Sequence, residues 1–237
     1  MTSTAQLELP LLQPSQAQKH VTVNEALARL DAMAALVLVS RGLSTPPEGA
    51  GEGEAYGVPA AAGGAWAGQG GRIALRANGG WVFLPPRRGW RAWIADEGAQ
   101  AIHDGTTWRS GAVALSASGS GSFLQVLEFD HALTSGTGSN TAQTIPANVL
   151  VMAVTARVIA TIGGTLPSWR LGNPGAVTRF GSGLGLEVGS FAHGLLSTPM
   201  AFHAATELRL TPTSGSFNGT GAVRLAVHYF EASLPEV

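Results

Sequence analysis

The chain is 237 residues long, with 45% hydrophobic and only 12% charged residues, 32 glycines, 13 prolines, no cysteine and a formal net charge of −1. An average soluble domain is about one-quarter charged, so this surface is bland. One lysine (Lys19) and thirteen scattered arginines do not make the basic face that nucleic acid needs, and the lack of cysteine removes disulfides, thiol nucleophiles and thiolate metal sites together.

Membranes are equally unpromising. The longest apolar run, Ala32–Val39, is eight residues, against roughly 20 for a bilayer span. The opening string MTSTAQLELPLLQPSQAQKH has no positive stretch ahead of an apolar core, so no signal peptide is expected. At roughly 100–200 residues per domain, one or two domains are expected.

In chain order, residues 1–20 carry the alternating run Leu7-Glu8-Leu9, two prolines and the polar SQAQKH. Residues 21–40 form the strongest helical pattern. Val23, Leu27, Leu30, Ala34 and Val37 are spaced 4, 3, 4, 3, two heptads of an apolar seam. Thr22 or Asn24 is the expected N-cap, and Gly42 with Pro46-Pro47 stops the element by residue 43. Two readings of the seam stand. It is either the inner face of an amphipathic helix lying on its own domain, or the core of a parallel three-helix bundle. Two heptads alone are marginal in water, so a bundle needs help from the domains behind it.

Residues 44–111 hold five of the six tryptophans: Trp66, Trp81, Trp90, Trp93 and Trp108. RIALRANGGWVFL alternates into Asn78-Gly79, a strong hairpin signal. AQAIHDGTTW repeats the beat around Asp104-Gly105. A small antiparallel β module built from Trp-bearing hairpins is predicted. GAVALSASGSGS at 111–122 reads as a flexible linker over 112–122. Residues 123–237 follow with short β-branched and apolar runs: FLQVLEFD, VLVMAVTARVIATI, LRLTPT and AVRLAVHYFEA. In the last, Val223, Leu225, Val227 and Tyr229 face one way and Arg224, Ala226, His228 and Phe230 the other. A C-terminal β-sandwich of jelly-roll type is expected, so the fold class is mainly β.

Catalytic signatures are sparse. The six histidines, at 20, 103, 131, 193, 203 and 228, form no metal-binding spacing, and adjacent pairs such as His103-Asp104 point to opposite faces of a strand. GSGLG at 181–185 has no helix behind it, so it reads as a loop rather than a nucleophile elbow. Glycoside hydrolysis needs two carboxylates about 5–9.5 Å apart. Glu187 and Glu207 are the pair a sandwich could bring together, though nothing in the sequence requires it. No enzyme, cofactor or metal is expected. What remains is binding. Trp169 stands alone in the C-terminal half, in the loop-like GGTLPSWRLGNPG. Trp169, Arg170 and Asn173, with His193 as a fourth candidate, supply a ring, a guanidinium and an amide for a saccharide. A buried plug is equally compatible, just as Trp81 and Trp108 could be the core of their module.

The string Q-x-x-Q-A-Q-K-H-V-T-x-N-E-A-L at Gln13–Leu27, GAWAGQGGRIA at 64–74, GGWVFLPPRRGWRAWIADE at 79–97 and HDGTTW at 103–108 resemble a family of uncharacterised domains of phage-like structural proteins, notably of gene transfer agents. The resemblance covers about residues 7–110. It implies a virion component, a tail fibre or head spike, assembled in the bacterial cytoplasm and released in a particle. It also implies an oligomer that contacts the host surface; with the 4-3 seam, the expectation is a homotrimer joined to other particle proteins through residues 1–20 and to host surface polysaccharide through the C-terminal domain. No catalytic residues come with it. A particle-borne polysaccharide depolymerase and a purely structural adaptor are the alternatives.

Overall fold

In the computed structural model, which describes residues 2–13 and 19–235, the 4-3 repeat forms helix α1 over Lys19–Ala34. Its bounds correct the expected 21–40. Thr22 and Asn24 therefore lie inside the helix rather than capping it. An ion pair one turn apart, Arg29 to Glu25 at 2.5 Å, braces its exposed side. Val37, the last residue of the expected seam, sits instead in strand β1 (Val37–Leu38). The β-branched run around it is drawn into a sheet, where Leu38 pairs with Ala55 and Val37 with Trp93, both in parallel.

The chain divides into two units, residues 1–115 and 116–237, and is mainly β, with 48% of residues in strands and 8% helical. In the first unit β2 (Ala55–Gly57), β3 (Ile73–Ala77), β4 (Gly80–Leu84), β5 (Arg91–Ile94), β6 (Ala99–His103) and β7 (Trp108–Ser110) join β1 in a seven-stranded sheet ordered β4-β3-β2-β1-β5-β6-β7. The Asn78-Gly79 hairpin forms as predicted. Both residues have positive φ (53° and 73°), the signature of a type I′ turn whose twist matches the strands it joins.

Strand alternation feeds two cores. Ala55, Ile73, Leu75 and Ala77 share one core with Ala32 of α1 and with Leu36, Ile94 and Trp108. Tyr56, Val58 and Ala74, their alternates, face the fully buried Trp66 with Trp81 and Phe83. The Tyr56, Trp66 and Trp81 rings lie 5.2–5.8 Å apart in tilted and edge-on pairs, the geometry aromatic quadrupoles favour. Trp108 is thus a core residue and Trp81 packs partly buried against Trp66, in line with the blander alternative for those two, whereas Trp93 is 47% exposed.

The expected linker is largely structured. Strand β8 occupies Ala112–Leu115, Ser116 and Ser120 close a turn, and β9 begins at Gly121. The unit boundary falls within it, but small residues here make edge strand rather than coil.

In the second unit β9 (Gly121–Ala132), β10 (Ser139–Ile145), β11 (Val149–Ala160), β12 (Trp169–Asn173), β13 (Ala176–Leu184), β14 (Phe191–Ala192), β15 (Leu195–Phe202), β16 (Thr206–Pro212) and β17 (Ala222–Ala232) form two antiparallel sheets. One is ordered β10-β16-β12-β13. The other runs β14-β11-β17-β9, with β15 also on β11. The string at 181–185, expected as a loop, is mostly the end of β13. A single core lies between the sheets: Trp169, Leu171, Leu208 and Leu210 from one meet Val151, Val154, Val223, Leu225 and Val227 from the other. The alternation expected for AVRLAVHYF is the one observed. Val223, Leu225 and Val227 are fully buried, and Tyr229 packs against the same core.

β14 and β15 are one strand position interrupted at Gly194. Its φ is +48°, and a Cβ there would stand 1.9 Å from the carbonyl oxygen of Val154. Both strain and collision are backbone effects that no side-chain repacking relieves. We expect Gly194→Ala to destabilise the second unit by more than about 1 kcal/mol. A denaturant midpoint unchanged from wild type would contradict the crowding.

Candidate functional site

α1 rests on its sheet through Ala28, Asp31, Ala32 and Met33. The 4-3 seam is on the other side. Val23 is 40% and Leu30 63% exposed; Ala34 is exposed and Leu27 half-buried. The stripe continues off the helix, because exposed Val37 is the register partner of exposed Trp93. Among the described residues only Leu27 of the seam is even half-covered. A contiguous apolar stripe of this kind marks an interaction surface more often than a solvated face.

Asp31 ties the N-terminal segment to α1. Its carboxylate is almost fully buried and accepts Thr4 Oγ1 at 2.8 Å, the Gln6 amide at 2.9 Å and the Leu7 amide at 2.7 Å. Burial by itself raises its pKa, but the donations from Leu7, Gln6 and Thr4 outweigh it and hold the carboxyl below the ordinary carboxylate value. Two turns earlier, Asn24 grips Leu12 from both sides, accepting from its amide and donating to its carbonyl. Of the expected attachment segment 1–20, residues 1 and 14–18 lie outside the described residues.

The saccharide site expected around Trp169 is not presented to solvent. Trp169 opens strand β12 rather than a loop, is 0% exposed, and donates its indole N–H to the Gly185 carbonyl at 2.8 Å. Asn173 is buried and accepts from Arg179, while Arg170 donates to the Thr213 carbonyl. His193 is exposed and stacks edge-on against Phe191, 5.3 Å away. Sequence spacing could not reveal this, because the plug and the platform have the same local pattern.

Glu187 and Glu207 are not brought together either. Glu187 accepts from Thr161 just beyond Leu184, which is paired through Trp169 to Pro212. Glu207 lies five residues from Pro212 along β16, bonded to Asn140. At about 3.3 Å per residue that is well beyond the separation glycosidases use. Among the described residues no group of three or more His, Asp or Glu could hold a metal ion, and no helix is long and apolar enough to cross a membrane.

The outer face of the β11-β17-β9 sheet carries a second apolar patch. Register sets Leu150, Phe230 and Leu124 in one row across the three strands, with Val126 beside them. Leu124 is 51% and Val126 60% exposed. Two rows further on the same face is charged, with Arg224 bidentate on Asp130 at 2.7 and 2.8 Å.

These surfaces belong to a β-rich chain with exposed apolar side chains on α1 and on the outer face of the β11-β17-β9 sheet. Residues 23–109 match the family described as a protein of unknown function, DUF2793, inside the span on which the resemblance to phage-like structural proteins rests. No curated protein matches the chain. Among solved structures, the chain is similar to a component of the cyanophage Pam1 capsid asymmetric unit at 21% identity, covering 47% of this chain and 84% of that one, with a TM-score of 0.30.

Proposed function

We propose that the chain is a non-catalytic structural component of a phage-like particle, a tail fibre or, in the second reading, a head spike. It acts as a homotrimer whose N-terminal residues attach to the particle and whose C-terminal unit contacts host surface polysaccharide. The observation that carries this reading is the seam on α1. It has bundle spacing, and Val23, Leu30 and Ala34 on it are exposed among the described residues. The second unit supports it. Its two antiparallel sheets, ordered β14/β15-β11-β17-β9 and β10-β16-β12-β13, are compatible with the jelly-roll expectation, an architecture used by capsid and lectin domains. Trimeric display would also strengthen a weak glycan contact by roughly 10²–10⁴ where the geometry permits.

Light scattering tests the assembly. The chain is expected at about three times 24.2 kDa. Leu30→Asp would place three charges in an apolar seam without touching the fold of one chain, and should reduce the mass to one copy. A monomeric wild type, or a Leu30→Asp protein that stays trimeric, overturns the seam as the interface.

A further inference from the structure

The HDGTTW stretch does something the trimer reading does not use. Asp104 is spent locally. It accepts from the amides of Thr106 and Thr107, each at 2.8 Å, and pairs with Arg109 at 3.5 Å. This folds the β6–β7 turn so that His103, Thr106, Thr107 and Trp108 form one wall of a partly enclosed pocket of about 220 Å³. The opposite wall is the segment after β2, with Val58 and Pro59, held against Gly71 and Arg72 by the bonds Val58 N–H to Arg72 O and Gly71 N–H to Val58 O. Arg41 closes one side.

The lining has a definite chemistry. It contains two guanidinium groups, one imidazole and two hydroxyls, and no carboxylate. Arg41 is neutralised by Glu97, 2.5 Å away, and is anchored on the Trp108 carbonyl. Arg72 is exposed and has no carboxylate partner among the described residues, so it leaves the pocket with an uncompensated positive charge. The imidazole of His103 is 2% exposed, and its Nδ1 accepts the Gly105 amide at 3.2 Å. The ring's remaining donor is therefore Nε2–H. Burial pushes its pKa down despite neighbouring Asp104, which favours the neutral ring. Val58, Pro59 and Trp108 supply apolar wall beside these groups.

We propose that this pocket binds one carboxylate-bearing sugar, a uronic acid unit, with Arg72 on the carboxylate, His103 and Thr106 on ring hydroxyls and the apolar wall against the ring. A bare anion would leave the apolar wall unused, and a neutral sugar would leave the Arg72 charge unanswered. The volume falls below the roughly 300–1,000 Å³ of sites for drug-sized ligands, so it suits a single monosaccharide rather than a longer stretch of chain. The proposal rests on the polysaccharide reading and goes beyond it, naming a sugar class and adding a contact on the first unit to the one proposed for the C-terminal unit.

The test is titration of the full chain with methyl glucuronide, methyl glucoside and acetate, followed by amide chemical shifts and calorimetry. Methyl glucuronide is expected to shift the amides of His103, Thr106, Thr107 and Trp108. Methyl glucoside and acetate should bind at least tenfold more weakly, a loss of about 1.4 kcal/mol. Arg72→Ala, an exposed change, should weaken glucuronide by a similar factor while leaving the thermal midpoint in place. Free glucuronic acid, run alongside, distinguishes a metabolite from a chain residue: preference for the glycoside marks a residue within a polymer, and preference for the free acid a metabolite. Absent or displaced shifts, equal binding of glucoside, or an unaffected Arg72→Ala protein would overturn the proposal. A trimer without glucuronide shifts fails the pocket alone, whereas a monomer that binds glucuronide fails the assembly alone.

Discussion

Trp169→Ala should cost the second unit about 3–5 kcal/mol, the range for emptying a large aromatic site in a packed core. The indole is 0% exposed and sits between Leu171, Leu208 and Leu210 on its own sheet and the valines of the facing one. Its N–H donates to the Gly185 carbonyl, a bond that truncation also removes. For a unit of this size the thermal midpoint should fall by on the order of 10–20 °C. Trp169→Phe keeps much of the volume and loses the hydrogen bond, so it should recover most of the loss. Calorimetry of the two variants checks this. A Trp169→Ala protein with wild-type stability and weakened glycan binding would restore the exposed-platform reading that the burial of this ring argues against.

The second large effect is at Asp31 and is local. Removing the carboxylate in Asp31→Ala strips the hydrogen bonds to Thr4, Gln6 and Leu7. Hydrogen bonds to a charged group contribute roughly 1.5–3 kcal/mol each, so residues 2–13 should detach from α1 and lose hydrogen-exchange protection and protease resistance. The pH dependence follows from the depressed pKa. A carboxyl that titrates lower when folded than when unfolded contributes its stabilisation fully above the unfolded value, near 3.8. That contribution is lost as pH falls through the folded value, because the unfolded state holds the proton more tightly. Protection of the Gln6 and Leu7 amides should therefore be flat above about pH 5 and fall on further acidification. In Asp31→Asn that acid limb should be absent. Equal protection of Gln6 and Leu7 in wild type and Asp31→Asn at pH 7 would show that Asn24, not Asp31, holds the segment.

The two sites also differ in how they could be reached. The seam is readable because α-helical periodicity is a local property: residues three and four apart share a face whatever surrounds the helix. Where it ends was not readable, since Val37 was claimed by parallel pairing with β5, a partner 56 residues away. Asn24 shows the same limit. A residue with good capping chemistry was placed inside the helix and used to hold Leu12.

By itself the sequence determined the features set by local sterics and short-range alternation. These are the Asn78-Gly79 turn, where two positive φ angles demand such residues, the two faces of β17, the presence of a helix near Leu27, and the division into a Trp-rich unit and a β-sandwich unit. Only the tertiary structure decided which aromatic rings are covered. Trp169 and Trp93 each have an arginine within two residues in sequence, yet one is sealed between two sheets and the other is open to solvent. It alone also gathered Arg41, Pro59, Arg72, His103 and Trp108 around one pocket. Burial and convergence are properties of contacts distant in sequence, and the pattern of neighbours along a chain carries no record of them.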